Sequence, residues 1–271
     1  MPASFISETE LPGRKINKDT LQIIAHRYYW TSKLVSGKEV LEVGCGPSLG
    51  IGWLSRYGKH VVGGDITKDS LKLAKRHYGS RVELVCMDAH RLPIKDSCLD
   101  VVASLAAIIY MDFPVFLDEC HRVLKPGGML IVNTPNKSIP GFRPSLLSHK
   151  YYSVPELYSL LNEHHFDAHF FGAFTTQQVL IRSQTRLISS GRMFISKSLK
   201  LLGLYKWIKR ALGPAAFSIK LKEELGEEEM RSVENVEVVP LPCNSPDPQH
   251  RIVYAVAQAK QRFRTLNESL R

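Results

Sequence analysis

Between residues 17 and 135, short apolar runs alternate with helical stretches, and few architectures accept that order. The runs fall at 39 to 43, 60 to 64, 82 to 87, 99 to 104 and 128 to 133. Helical stretches at 68 to 77 and 113 to 124 separate some of them. Another, at 17 to 33, precedes the first, with Asn17 as its cap and apolar or aromatic positions at 21, 24, 28 and 29. Strands that are nearly all apolar and alternate with helices predict a parallel sheet covered on both faces. The second half reads differently. A helix at 153 to 164 opens on a Ser cap, a Phe/Gly-rich run covers 166 to 174, and a segment of basic and aliphatic side chains leads to an acidic cluster at 223 to 229. A polar loop with Pro240, Pro242, Pro246 and Pro248 then precedes a final strand at 252 to 257, and there is no internal repeat.

The first run ends in Glu42-Val-Gly-Cys-Gly-Pro-Ser-Leu-Gly. Glycines at 44 and 46 remove the Cβ atoms that would keep a ligand off the turn, and the following helix presents free N–H groups there. The next run ends at Asp65, where a carboxylate can accept from both hydroxyls of a ribose. Two ligands fit this much: a nicotinamide or flavin dinucleotide, and S-adenosylmethionine. Three features separate them. Glu42 puts an anion beside the loop, which suits a cationic sulfonium and ammonium better than a pyrophosphate, and Ser48 and Leu49 stand where a dinucleotide pattern has its third glycine. Met87-Asp88-Ala89 places a second acid at a strand's C-terminal edge. Leu92-Pro93, 96 to 102 and 122 to 128 then lead into the fourth and fifth strands.

With those motifs in order, residues 38 to 135 resemble the class I S-adenosylmethionine-dependent methyltransferases of the type 11-like kind. The resemblance implies an α/β, Rossmann-like sheet of seven strands whose last strand is antiparallel, with a helical lid inserted before that strand. It implies that Glu42, Gly44, Cys45 and Gly46 surround the methionine part of the cofactor, Asp65 and Ile66 the ribose, and Asp88 and Ala89 the adenine. Ser104 and Leu105 are expected to offer backbone to the methionine amine, and Tyr28, with Tyr29, to close over the cofactor. Ser48, where many members have glycine, implies a slightly shifted turn. His90 and His121 read as surface or capping residues. The implied layout is a helical cap over 1 to 36, the cofactor-binding core over 37 to 135, an acceptor-binding loop and basic lid over 136 to 250, and the final strand and tail over 251 to 271.

The activated methyl group needs chiefly a nucleophile held in line, although an alcohol acceptor also needs a base. Ser104 to Tyr110 lacks the Asn/Asp-Pro-Pro-aromatic clamp of base-amine methylation, and Ser104 breaks the acid arrangement of metal-dependent catechol enzymes. Pro242-Cys243 lies outside the usual surroundings of a pyrimidine-carbon nucleophile, and His164, His165 and His169 have no clear ligand geometry. A metal-free enzyme acting on a small molecule or glycan remains, and the stretch from Asn133 to Leu157 is similar to bacterial members acting on small metabolites or sugars. In that loop His149 is the candidate base, and Tyr110, Arg143, His149 and Tyr152 are the candidate acceptor contacts.

The formal charge of +10 is local. Residues 168 to 222 hold ten Lys and Arg and no acid, so the remainder carries 26 basic and 26 acidic groups. Leu199, Leu202, Tyr205, Trp207, Ile208 and Leu212 lie between the basic residues at largely helical spacing. Three readings compete for this segment: a lid with a solvated basic face, a stretch at 182 to 222 lying on an anionic membrane or lipid-linked substrate, and a nucleic-acid surface. The lack of a regular base-stacking pattern argues against the third.

Five cysteines without a CxxC pair argue against a disulfide framework and a thiolate zinc site. The N-terminus does not read as a secretory signal, and the apolar stretch at 101 to 111 is shorter than the roughly 20 residues a membrane span needs. The expectation is a cytoplasmic protein, at most peripheral to a membrane. The favoured activity is S-adenosylmethionine-dependent O-methylation of a small acceptor, a sugar or secondary metabolite. The alternatives are N-methylation of a small amine, RNA or DNA methylation, and a partner protein that binds the cofactor without chemistry.

Overall fold

β2 (Glu39–Val43), β5 (Leu99–Leu105) and β6 (Leu124–Pro135) sort their side chains by the two-residue period of a strand. Val40, Val101, Ala103 and Ile131 join one buried cluster, whereas Leu41, Val43, Val102, Leu130 and Val132 join another. The sheet is therefore covered on both faces, which only helices on each side can do in a parallel arrangement. The computed structural model describes residues 10–175 and 218–261.

One face is covered by α1 (Lys18–Ser32), α2 (Ile51–Leu54) and α3 (Lys68–Tyr78), through Ile24, Tyr28, Trp53 and Tyr78. The other is covered by α4 (Phe113–Val123) and α5 (Val154–Glu163), through Phe113, Phe116, Leu157 and Leu161. The helix starts follow local chemistry. Asn17 Oδ1 accepts from the Thr20 N–H at 2.7 Å, and Glu156 accepts from the Ser153 N–H at 2.7 Å and from its hydroxyl at 2.6 Å.

The remaining strands are β1 (Lys15–Asn17), β3 (His60–Asp65), β4 (Glu83–Cys86), β7 (Phe166–Thr175), β8 (Ser218–Lys220), β9 (Val238–Leu241) and β10 (His250–Ala259). The main sheet runs β4-β3-β2-β5-β6-β10-β7-β9. Its first five strands are parallel, and β10 lies antiparallel between β6 and β7. The antiparallel last strand agrees with what the resemblance implies, but the sheet has eight strands and not seven. The extra strand, β9, comes from residues expected to begin a polar loop. Pro240 is tolerated there because β9 is an edge strand and need not donate on its open side. A separate pair, β1 with β8, ties residues 15 to 17 to 218 to 220, and α6 (Glu227–Arg231) follows.

Of the basic segment at 182 to 222, all but residues 218 to 222 lies outside the described residues, and with it the expected helical lid. Lys222 pairs with Glu229 at 2.6 Å. Among the described residues, no helix is long and apolar enough to cross a membrane, and the five cysteines are unpaired.

Candidate active site

The C-terminal ends of β2, β3, β4 and β5 open on a cleft of about 410 Å³, where ligands of such sheets bind. Its floor is the turn after β2. Gly44 and Gly46 hold φ values of +76° and +55°, and a Cβ on Gly44 would come within 2.4 Å of the Ala107 Cβ. The turn is laced to β3: the Gly44 N–H donates to the Gly64 carbonyl at 2.8 Å, and the Gly46 N–H to Asp65 Oδ2 at 2.8 Å. Ser48 does not shift the turn away from the glycine conformation. It takes φ +61° itself, with its N–H on the Cys45 carbonyl at 2.9 Å and its own carbonyl accepting from the Tyr78 hydroxyl at 2.7 Å.

Asp65 is aimed by two backbone donors, Gly46 and Thr67, the second at 2.7 Å on Oδ1. Each oxygen keeps a lone pair for a ligand hydroxyl. Beside it Ile66 is 59% exposed, an apolar face turned to the cleft. At the end of β4, Asp88 Oδ1 accepts from the His90 N–H at 2.9 Å and lies 2.9 Å from His90 Nδ1. His90 Nε2 accepts from the Asp112 N–H at 3.0 Å, so Nδ1 carries the ring proton and donates to Asp88. His90, read from the sequence as a surface or capping residue, thus lines the cleft and joins Asp88 to the first turn of α4.

Behind the turn sits Glu42, fully buried. The Tyr28 hydroxyl donates to its Oε1 at 2.9 Å, and its Oε2 has no partner. Burial pushes its carboxyl up to about 7, against the hydrogen bond from Tyr28 and the charge of Arg27, which favour the anion. Arg27 also lines the cleft, with Glu10 from the segment preceding β1 as its counter-ion.

Ten of the expected contacts converge on the wall: Tyr28, Gly44, Cys45, Gly46, Asp65, Ile66, Asp88, Ala89, Leu105 and Tyr110. Glu42 and Ser104 are wholly buried behind it. Arg143 and His149 are exposed and stand apart from the wall, and the His149 backbone, not its ring, makes a 2.7 Å bond to the Ile109 carbonyl. Tyr152 requires a correction. It is 2% exposed and packs on Phe113 with ring centroids 5.4 Å apart, while Tyr151 takes the place on the wall. Tyr29 lies under the Lys33 ammonium, 4.4 Å from its ring centroid. His121 Nε2 donates to the Lys260 carbonyl at 3.0 Å, and His164 pairs with Asp118 at 2.8 Å. Among the described residues, no group of three His, Cys, Asp or Glu could hold a metal ion.

Arg27, Glu10, Thr67, Met111 and Pro135 also line the cleft, and sequence reasoning missed them. Arg27 had a signal, since it adjoins Tyr28 on a helix already expected over the cofactor. Glu10 had none, because only tertiary folding brings it there.

Known proteins similar to this chain include methyltransferases. A family model described as "Methyltransferase domain" matches residues 41–132. A fatty-acid O-methyltransferase of Mycolicibacterium smegmatis is 36% identical over 118 residues, which cover 41% of this chain and 43% of that protein. A phthiotriol/phenolphthiotriol dimycocerosates methyltransferase of Mycobacterium leprae is 41% identical over 100 residues, 35% of this chain and 37% of that one. The matches therefore span less than half the length of these relatives. A solved SAM-dependent methyltransferase from Thermotoga maritima shares the fold, with a TM-score of 0.53 over 90% of this chain and 95% of that one, at 16% identity. S-adenosyl-L-methionine is the cofactor that this family and fold imply. The residues present fit it: a buried carboxylate with an unpartnered oxygen for a cationic ligand, a carboxylate with spare lone pairs for hydroxyls, and a turn that a Cβ would fill.

Proposed function

We propose that this chain, which carries a class I S-adenosylmethionine-dependent methyltransferase domain, methylates an oxygen on a small, largely apolar acceptor by direct in-line transfer without a metal. When bound, the cofactor supplies a methyl group on a sulfonium, already activated toward an oxygen nucleophile. The chain's part is to bind and orient. Asp65 and Ile66 would hold the ribose, Asp65 accepting from its hydroxyls, and Asp88 with the Ala89 backbone would meet the polar edge of the adenine. Glu42, behind Gly44, would set a negative charge near the cationic end.

The observation that carries the acceptor reading is the composition of the rest of the wall. Pro135, Ile109, Met111 and the rings of Tyr110 and Tyr151 line it. Such a surface favours an apolar body over a sugar. Among these five residues the polar side-chain groups are the phenol hydroxyls of Tyr110 and Tyr151, the second accepting from the Ser145 N–H at 3.2 Å, and a phenol O–H suits an acceptor oxygen already ionised at neutral pH, such as a carboxylate or acidic phenol. An ionised oxygen needs no strong base, only placement at about 3 Å from the reacting carbon. The relatives that act, by their names, on a fatty acid and on phthiotriol/phenolphthiotriol dimycocerosates support this reading.

The test is incubation with methyl-labelled cofactor and four acceptor pools: fatty acids, phenols, sugars and RNA. The reading predicts label in the fatty acid or phenol pool, bound through a base-labile ester or an ether. Label confined to the sugar or RNA pool overturns it.

A further inference from the structure

Arg27 is the buried cation of the cleft, and the carboxylate that neutralises it does not come from the core. Its side chain is 7% exposed and lies on the wall beside Tyr28. Both terminal nitrogens donate to Glu10, Nη1 to Oε1 at 3.2 Å and Nη2 to Oε2 in the closer contact, while its buried Nε has no partner. Glu10 is peripheral, with its side chain 31% exposed. Among the described residues, the segment that carries it is pinned after it, where the Gly13 N–H donates to the Leu221 carbonyl at 2.8 Å and β1 pairs with β8.

A guanidinium removed from water requires an anion, and a cleft ligand bearing a carboxylate could provide one. The cofactor carries an ammonium and a carboxylate on one carbon. Arg27 lies on the wall for the second charge, and Glu42 sits buried behind the turn for the first, the two near enough that the Arg27 charge favours the Glu42 anion. We infer that Arg27 reads the α-carboxylate of the cofactor, and that Glu10 is an in-chain stand-in for that carboxylate which the ligand must displace. This rests on the reading of the cleft as an S-adenosylmethionine site. Glu10 thereby competes with loading, and the ligand groups that gain from its removal are those that carry a carboxylate.

Calorimetry on the full chain with two probes tests the inference. S-adenosylhomocysteine has the amino-acid end, and 5′-methylthioadenosine lacks it. Glu10→Ala should tighten S-adenosylhomocysteine by about threefold, the scale of a partly exposed ion pair, and leave 5′-methylthioadenosine unchanged. Arg27→Ala should weaken the first probe by about tenfold or more and spare the second. In the Arg27→Ala background, Glu10→Ala should have no further effect. Because Arg27 is buried, thermal melting must show that its variant folds. Glu10→Ala carries the test alone if it does not. Equal shifts for both probes, or a Glu10→Ala variant that binds S-adenosylhomocysteine no better than the parent, overturn the inference while the cofactor reading stands. Failure of the parent chain to bind either probe overturns both.

Discussion

The Tyr28 hydroxyl donates to Glu42 Oε1 at 2.9 Å, joining a helix that covers the sheet to the end of β2, directly behind the turn that floors the cleft. Both side chains are buried, so the bond is made where water cannot replace it. Tyr28→Phe leaves a buried carboxylate with neither oxygen bonded by this group. The expected outcome is a loss of about 1–3 kcal/mol of stability and about tenfold weaker cofactor binding at pH 7.5. Chemical denaturation and calorimetry measure the two. Full binding in the variant would mean that Glu42 does not serve the ligand.

The same carboxylate makes stability depend on pH in an uncommon direction. Its folded pKa is raised from 4.5 to about 7, so between those values the folded state holds a proton that the unfolded state has lost. Glu42's contribution is fully present below about pH 4.5, falls as pH rises toward 7, and is flat above. The shift corresponds to a loss on the order of 3 kcal/mol at most. Glu42→Gln should abolish that slope when denaturant midpoints are measured from pH 5 to 8. A cationic ligand favours the ionised form. Cofactor binding near pH 6.5 should therefore release a proton, visible as a binding enthalpy that varies with the buffer.

Two glycines separate steric need from conformational need. A Cβ on Gly50 would fall 2.2 Å from the Tyr28 ring, whereas Gly37, at φ +69°, has nothing within 4 Å. Gly50→Ala must push Tyr28 off the turn, at a cost of about 1–3 kcal/mol and with cofactor affinity reduced. Gly37→Ala should cost about 1 kcal/mol from backbone strain and leave affinity intact. Melting and calorimetry on the pair distinguish them. Equal affinity losses would refute the assignment of Tyr28 to the cofactor wall.

The five parallel strands, the helices of both layers and the glycine turn were legible in the sequence because they are local signals of period and spacing. Leu41 and Val102 point one way and Val40 and Val101 the other, as alternation requires. The acceptor side was not legible to that degree. Tyr151 and Tyr152 are adjacent and chemically alike, and only packing against Phe113 decides that Tyr152 enters the core while Tyr151 faces the cleft. Glu10 reaches Arg27 across 17 residues through a turn pinned by Leu221, a contact with no periodic trace. The β9 strand was hidden by its proline, which an edge position forgives.

His149→Ala bears on the base. The ring is exposed and apart from the cleft wall, so turnover of an acidic acceptor should stay within about twofold, the range of a surface change. A fall in kcat of about 100-fold, the usual yield of a general base, would restore His149 to that role. It would also require the loop from 136 to 152 to close over the cleft during the reaction.

His90, like Arg27, lines the cleft and offers a further test. Its ring donates to Asp88 from Nδ1 and accepts from the Asp112 N–H on Nε2, so it holds the β4 end against α4. In His90→Ala, Asp88 loses a donor that orients its carboxylate, and α4 loses a partner for the N–H of its capping residue. Affinity should drop by about three- to tenfold, the worth of one partly exposed hydrogen bond to a charged group. The drop should be equal for S-adenosylhomocysteine and 5′-methylthioadenosine, since both carry the adenine that Asp88 is expected to meet. His90→Asn, which can still donate to Asp88, should recover part of it. A loss confined to S-adenosylhomocysteine would place the amino-acid end, not the adenine, beside Asp88 and reverse the orientation of the ligand in the cleft.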